Sequence, residues 1–363
     1  MNHAATTPQT KAAPREAERP RSAVRLFGER VSLRLNVRPL VVCVFLAVAA
    51  AALGLVALAL GDYPIPLAEL PSLLTGGGHG GDRFIVVGLR LPRLLCGLLI
   101  GAGLGASGAI FQSLTRNPLA SPDIIGFTTG AATGGILVIV LLAGDSGQVA
   151  IGALIAGAVV SLLVYVMSFK RGVQGYRLIL MGIAMTSVLV SVNSYLLTRA
   201  ELEIAANAQR WLIGSLNGVA WTDVGVLMVV PVVLLPLAML MGGRLRLLEL
   251  GDEHARGLGL SVERTRLGLV LVSVSMTAVA TAAAGPIAFV ALAAPQLARR
   301  LTRTGGEGLA SSALMGALLL VGADIAAQWV LPGVQLPVGI LTGVIGGLYL
   351  VLLLTSQWRA GRG

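Results

Sequence analysis

Long apolar stretches alternate with short polar or charged clusters along most of this chain. Crossing a bilayer as a helix takes about 20 apolar residues, and breaking the pattern at charged, Pro, Gly or Asn clusters predicts ten such segments. They lie at 40–60, 89–112, 122–143, 149–169, 178–198, 224–242, 267–284, 287–298, 311–330 and 338–355. The eighth is short and glycines interrupt the third. The pattern therefore predicts an all-α, polytopic membrane protein with about ten transmembrane helices.

Glycines spaced four apart mark the second and third predicted segments. Such a stripe lets another helix backbone approach closely, whereas a lipid-facing helix would be richer in Leu and Phe. The two stripes are Gly97, Gly101 and Gly105, and Gly126, Gly130 and Gly134. They predict a close-packed bundle rather than a single anchor.

Composition and charge agree with this interpretation. The chain has 363 residues, of which 55% are hydrophobic and 12% charged, and its mean hydropathy is +0.85. With the N-terminus in the cytoplasm, 22 of the 27 Lys and Arg residues fall on the cytoplasmic side, as the positive-inside rule requires. We therefore expect a multi-pass protein of the plasma (inner) membrane with both termini cytoplasmic. The net charge of +10 then requires no nucleic-acid partner.

The ends of the chain differ in composition from its centre. Residues 1–39 are rich in Pro, Ala, Thr and Arg, which predicts a disordered basic cytoplasmic tail rather than a cleaved signal peptide. Residues 40–356 form the predicted ten-helix domain, and residues 357–363 the cytoplasmic C-terminal end.

Reactive groups at membrane depth are scarce. Ser107 lies in a GxSG sequence typical of intramembrane serine proteases, but no histidine lies in a predicted segment to take its proton, so a packing role is expected. Cys43 and Cys96 read as small apolar fillers. There is no metal motif and no GxxxxGK[ST] phosphate loop. We expect no catalytic residue, no metal and no cofactor, and an energy source outside this chain.

Asp324 is the carboxylate that lies well inside a predicted segment. Ionisable residues within membranes are functional candidates. Both structural pairing and coupling to transport remain open, although a proton relay would need partner groups on other helices.

A structured loop is predicted at 243–266, between the sixth and seventh segments. Asp252 can cap a short helix, Glu253 suits its positive end, and Gly257 or Gly259 can end it. A helix of about two turns is unstable alone in water, so we expect another protein to hold it.

Within this loop, LGDEHARGLGL resembles the coupling loop of FecCD-type ABC importer permeases, which carry ferric siderophores, haem or cobalamin. The resemblance extends in order over roughly residues 40–356. It includes RLPRLLCGLLIGAGLGASGAIFQSLTRNPLASPDIIGFTTGAA, WLIGSLNGVAW, GPIAFVALAAPQLARRL, GADIAAQW and QLPVGILTGVIGGLYLVLLL.

The resemblance implies a type II ABC importer permease fold and a transport subunit that is not itself an enzyme. Its expected partners are a second permease subunit, identical or paralogous, two ATP-binding subunits and an extracytoplasmic substrate-binding protein. Ferric siderophore is the expected cargo, with cobalamin or haem as alternatives. A proton-coupled secondary transporter and an intramembrane protease are the rivals from other classes.

The resemblance also assigns roles to individual residues. The coupling helix for the ATPase comprises Gly251, Asp252, Glu253, Ala255, Leu258 and Gly259. Arg90 and Arg93 would dock acidic groups of the binding protein, or else anchor a helix end in lipid headgroups. Gln328 stands where the family often has a further docking Arg. Met181, Ser187, Ser191 and Asn193 are expected to line the translocation path, the alternative for each being helix packing.

Overall fold

The computed structural model of the chain describes residues 23–26, 31–34, 37–61, 63–169, 175–303, 308–331 and 335–360. Its helices are α1 Val37–Ala59, α2 Leu70–Leu74, α3 Gly80–Arg83, α4 Leu91–Thr115, α5 Phe127–Leu142, α6 Ser146–Met167, α7 Gly175–Arg199, α8 Leu202–Ile213, α9 Trp221–Leu227, α10 Leu235–Glu249, α11 Asp252–Gly257, α12 Val262–Ala284, α13 Val290–Thr302, α14 Leu309–Trp329 and α15 Val338–Ala360. A π-helical turn at Phe84–Arg90 joins α3 to α4, a second at Val230–Leu234 joins α9 to α10, and a 3-10 turn at Pro122–Ile125 precedes α5.

Each of the ten predicted segments coincides with a helix, and the all-α membrane fold is confirmed. Among the described residues, seven helices are long and apolar enough to cross a membrane. These are Val37–Ala59, Gly80–Thr115, Ser146–Met167, Tyr176–Arg199, Trp221–Glu249, Val262–Ala284 and Leu309–Trp329. Phe127–Leu142 and Val338–Leu352 are shorter apolar helices, and α13 has 13 residues, so ten is an approximate count.

Two short strands and the start of α1 lie within the N-terminal tail predicted at 1–39. Two short antiparallel strands, β1 Ala23–Leu26 and β2 Val31–Arg34, pair with Val24 opposite Leu33, and α1 begins at Val37. The reason lies in the sequence, since apolar and polar residues alternate here with the period of a strand. The rest of the predicted tail, and residues 361–363 of the C-terminal end, lie outside the described residues.

Two further boundaries differ from those predicted. The loop predicted at 243–266 is shorter, because α10 continues to Glu249 and α12 begins at Val262. Leu, Arg and Glu are strong helix formers, so α10 runs past the end of its apolar stretch. For the same reason α15 continues to Ala360, beyond the predicted end of the last segment at 355.

Helix α4 forms the centre of the bundle and packs against α14, α12 and α13. Its glycine stripe faces α14, as a close-packed bundle requires. A Cβ at Gly101 would lie 2.7 Å from the Cα atom of Ala317, and one at Gly105 would lie 3.0 Å from the carbonyl carbon of Ser312. The predicted close approach of another backbone is therefore confirmed.

The second glycine stripe packs α5 against α6. A Cβ at Gly130 would lie 2.7 Å from the Cβ of Val160, and one at Gly134 would lie 2.8 Å from the carbonyl carbon of Gly152. At Gly101, Gly105 and Gly134 a larger side chain would meet the backbone of the neighbouring helix and force the two helices apart.

Ser107 lies at the buried contact of α4 with α12. Its hydroxyl is 2.7 Å from the hydroxyl of Ser273 and 2.9 Å from that of Thr277. It also donates to the Ser273 carbonyl at 2.9 Å, so its partners are two hydroxyls and a carbonyl rather than an imidazole, which agrees with the expected packing role.

Helix α4 also defines two ends of the bundle. It begins near α2, at what we call the α2 end, and its last turn lies near α11, at what we call the α11 end. The candidate functional groups lie at these two ends and along α7.

Candidate functional site

Helix α11 begins and ends at glycines with positive φ. Gly251 has φ +114° at the N-cap, and Gly259 has φ +82° just beyond the last turn, which confirms the predicted glycine stop. The predicted capping role of Asp252 is wrong, because Asp252 lies inside the first turn and no side chain caps the helix. Two arginines nearby offer its carboxylate stronger partners than the backbone amides.

Those arginines connect α11 to two long helices. The Arg266 guanidinium, from α12, donates to the Asp252 carboxylate at 2.9 and 3.0 Å. Arg116, which follows the last turn of α4, donates to the same carboxylate at 3.1 Å and to the Leu248 carbonyl at 2.8 Å. Charge-assisted hydrogen bonds thus connect α11 directly to α4 and α12.

The Asp252 carboxylate has a lowered pKa. Partial burial acts to raise the pKa, but the hydrogen bond and charge of Arg266, with the charges of Arg116 and Arg256, outweigh it. The Asp252 carboxylate is therefore ionised in the folded protein near neutral pH.

The other predicted coupling residues divide by exposure. Ala255 is fully buried, in the same apolar cluster as Leu245 and Val262, so it fixes α11 to the bundle and offers no surface to another chain. Leu258 is 64% exposed, and Glu253 is also exposed. The outer surface of α11 therefore presents an apolar side chain flanked by charge.

At the α2 end, Arg90 caps α1. Its guanidinium donates to the carbonyls of Leu58 at 2.8 Å, of Ala59 at 3.2 Å and of Tyr63. The last carbonyls of a helix have no partner within the helix, and this arginine satisfies them. Arg90 is thus half-buried and directed toward its own chain.

Arg93 also faces inward and is the ion-pair partner of Asp324. Its guanidinium forms a two-pronged ion pair with the Asp324 carboxylate at 2.8 and 2.9 Å, and their side chains are 16% and 9% exposed. Gln328 donates to the same carboxylate at 2.9 Å. The geometry therefore pairs Asp324 with Arg93 and joins α4 to α14.

Helix α7 carries a row of hydroxyl groups on an exposed face. Ser187, Ser191, Ser194 and Thr198 follow one another at helical spacing, and each hydroxyl donates to the carbonyl four residues earlier. We call this the α7 hydroxyl row. Two of the predicted path residues, Ser187 and Ser191, belong to it.

The remaining two predicted path residues are less exposed. Met181 is half-buried and packs against the cluster of Phe111, Phe127 and Val160, as a packing residue would. Asn193 is 8% exposed and lines a cavity at the side of the α7 hydroxyl row.

That cavity has a volume of about 420 Å³. It opens where interrupted segments meet, namely the start of α5, the end of α8, the connection between α12 and α13 and the start of α15. Its lining consists of Thr128, Thr129, Ala132, Val190, Asn193, Ser194, Leu197, Leu212, Ile213, Pro286, Ala288 and Gly339.

Several of these residues were not identified from the sequence. Arg116 and Arg266 lie 136 and 14 positions from their partner Asp252, and no local pattern connects them. Thr128 lies between Gly126 and Gly130 of the second glycine stripe, which indicated packing alone. The interruption of α5 at Gly126, which has φ +75°, was the available signal for a cavity there.

Comparison with known proteins agrees with this geometry. The FecCD transport family matches residues 47–356. The chain belongs to this family. It is 45% identical to the ferric enterobactin transport system permease protein FepG of Escherichia coli (strain K12) over 322 residues, which cover 89% of this chain and 98% of that protein. The Fe(3+)-citrate import system permease protein YfmE of Bacillus subtilis (strain 168) is 36% identical over 90% of this chain and 98% of its own length.

A solved structure shares the fold of this FecCD family member. It is a metal-chelate type ABC transporter in an inward-facing conformation, 26% identical, with a TM-score of 0.76 over 87% of this chain and 99% of the other. The matched length of the FecCD family includes α4, α7, α11 and all the cavity-lining residues, so the candidate site lies within the family domain.

Proposed function

We propose that this chain is the membrane permease subunit of a binding-protein-dependent ABC importer that moves a ferric siderophore into the cytoplasm. A second permease subunit, two ATP-binding subunits and an extracytoplasmic binding protein complete the transporter. The relatives named above, which serve ferric enterobactin and ferric citrate, support this cargo.

The observation that carries the proposal is the α7 hydroxyl row with the cavity beside it. Polar side chains and interrupted backbone are costly against lipid and occur at membrane depth where they face protein or a water-filled path. In the proposed transporter this face of α7 lines the path between the two permease subunits.

Orientation follows from charge. The α11 end carries Arg116, Arg256 and Arg266, and the positive-inside rule places such an end in the cytoplasm. Both termini are then cytoplasmic and the α2 end faces the binding protein.

ATP-driven movement enters through α11. Its exposed Leu258 inserts into the ATPase subunit, and the Asp252 ion pairs carry the displacement to α4 and α12. The path then alternates between outward-facing and inward-facing states.

At the α2 end we propose that Arg90 and Arg93 support the surface on which the binding protein docks, without contacting that protein themselves. Their hydrogen bonds to α1 and α14 hold that surface rigid for the binding protein. The ion pair of Arg93 with Asp324 gives this carboxylate a structural partner, and we propose that it joins α4 to α14 rather than relaying protons.

The cargo proposal is tested by uptake of a panel of labelled ferric chelates into vesicles that contain all the subunits. ATP-dependent accumulation of at least one ferric siderophore is expected. Uptake that continues without the ATP-binding subunits would reject the proposal.

The coupling role is tested by Leu258→Asp, with Leu250→Asp as the matched control. Leu250 is 63% exposed and lies just before α11. We expect Leu258→Asp to reduce uptake at least about tenfold, because a charge replaces a buried interface contact, and Leu250→Asp to have less than about a twofold effect. Equal effects of the two substitutions would contradict the assignment.

A further inference from the structure

The cavity beside α7 is bounded by interrupted backbone on several sides. Thr128 and Thr129 belong to the first turn of α5, whose amides have no acceptor within the helix and no side-chain cap. Pro286 and Ala288 belong to the connection between α12 and α13, and Gly339 to the first turn of α15. Such backbone can face a cavity but not hydrocarbon.

Asn193 supplies an independent sign that this cavity takes a ligand. The residue is 92% buried, and its side-chain carbonyl oxygen accepts no hydrogen bond from any part of the chain that the structure describes. An amide offers one acceptor oxygen and two N–H donors. A buried amide oxygen left unpaired is costly. This oxygen has less than 1 Å² of accessible surface, so a donor group in the cavity pairs with it once the amide turns about its soft Cβ–Cγ torsion.

The lining defines the chemistry of that group. Among the described residues that line the cavity there is no charged side chain, and the walls are mainly Ala, Val, Leu, Ile and Pro. A charged group would lose its water there without gaining a counter-ion. The volume of about 420 Å³ is at the low end for pockets that hold drug-sized ligands, so it suits one part of a bulky molecule.

We propose that this cavity is a cargo subsite that takes one uncharged, hydrogen-bonding arm of the ferric chelate, with the arm donating to Asn193. The inference rests on the proposed function, since the cargo reaches the cavity along the α7 hydroxyl row, to which the lining residue Ser194 belongs. The iron stays wrapped in its chelator and meets no ligand from this chain.

Cysteine protection in the complete transporter tests the subsite. Val190 lines the cavity and is 51% exposed, whereas Val188, two residues away and on another face of the same helix, is 60% exposed and does not line it. Val190→Cys and Val188→Cys are each placed in a Cys43→Ala, Cys96→Ala background and labelled with a membrane-impermeant maleimide. The probe is ferric enterobactin or ferric citrate, whichever the unaltered transporter accumulates.

With the probe at about ten times its half-protecting concentration, labelling of Val190→Cys is expected to slow about tenfold. Labelling of Val188→Cys is expected to change less than about twofold. Adding Asn193→Leu should raise the half-protecting concentration about five- to tenfold, as for the loss of one hydrogen bond. Labelling of Val190→Cys without cargo shows that the cavity is formed and open.

Four results would overturn the subsite. The first is labelling of Val190→Cys that cargo does not slow, and the second is protection that Asn193→Leu leaves unchanged. The third is labelling by a lipid-soluble maleimide only, which would place a lipid chain in the cavity. The fourth is cross-linking of Val190→Cys to the second permease regardless of cargo. Uptake by the unaltered transporter is measured first, so failure of the proposed function is seen separately.

Discussion

Replacing Asp324 alone should destabilise the bundle much more than replacing Asp324 and Arg93 together. The Asp324 carboxylate accepts two hydrogen bonds from Arg93 at 2.8 and 2.9 Å and one from Gln328 at 2.9 Å. In Asp324→Ala the Arg93 guanidinium, 16% exposed, loses its counter-ion inside the protein.

The magnitude follows from burial. Removing one member of a buried ion pair costs about 3–5 kcal/mol, and we expect about 3 kcal/mol here because Gln335 remains within 3.4 Å of Arg93. At about 2 °C per kcal/mol, the apparent melting temperature falls by about 6 °C. The double variant Arg93→Met, Asp324→Leu leaves no unpaired charge, and its melting temperature should lie within about 2 °C of the parent.

The assay is the apparent melting temperature of the purified transporter in detergent, followed by uptake in vesicles. Arg83→Met is the matched control, since Arg83 is an exposed arginine at the same end, and it should shift the melting temperature by about 1 °C or less. A double variant as unstable as Asp324→Ala would refute the pairing argument. If Asp324→Asn keeps its stability but loses uptake, the hypothesis of a proton relay through Asp324 would be favoured instead.

Two further predictions concern packing and pH. Gly101→Ala should lower the free energy of unfolding by about 1–3 kcal/mol, because its Cβ would lie 2.7 Å from the Ala317 Cα. Gly103→Ala is the control and should be neutral, since its Cβ meets its nearest atom, on Val230, at 3.4 Å. Equal costs of the two substitutions would contradict the close helix crossing. Asp252→Asn should cost about 1 kcal/mol at neutral pH. Because the Asp252 pKa is lowered, the stabilisation from this carboxylate is present above the ordinary pKa of 3.8 and is lost as the pH falls through the lowered pKa. The free energies of unfolding of parent and variant should therefore converge in acid. A difference that persists there would contradict the ion-pair account.

The sequence predicted most of the helices because membrane helices are specified locally. Apolar length sets each span, and a glycine stripe such as Gly97, Gly101 and Gly105 indicates close packing without naming the partner. The helix boundaries were less accurate, because helix formers such as those at the end of α10 extend a helix past its apolar stretch.

The residues of the candidate site were predicted unevenly for a related reason. Leu258 and Gly259 were named by a local motif. Leu258 is exposed and Gly259 has a positive φ, while their coupling role stays a prediction. Ala255 belongs to the same motif but is buried, and a motif cannot tell which of its residues faces inward. Asp252 resembles a helix cap in sequence and is an ion-pair partner in the structure.

The sequence by itself determined that this chain crosses the membrane many times and that titratable groups within the predicted segments are scarce. Its charge asymmetry predicts the orientation, which stays a prediction. These properties depend on residue type and spacing along one helix. The tertiary structure decided that Arg93 pairs with Asp324, 231 positions away, and that four interrupted segments enclose the cavity at Asn193. Such contacts depend on how helices cross, and backbone proximity between distant segments leaves no periodic signal in the sequence.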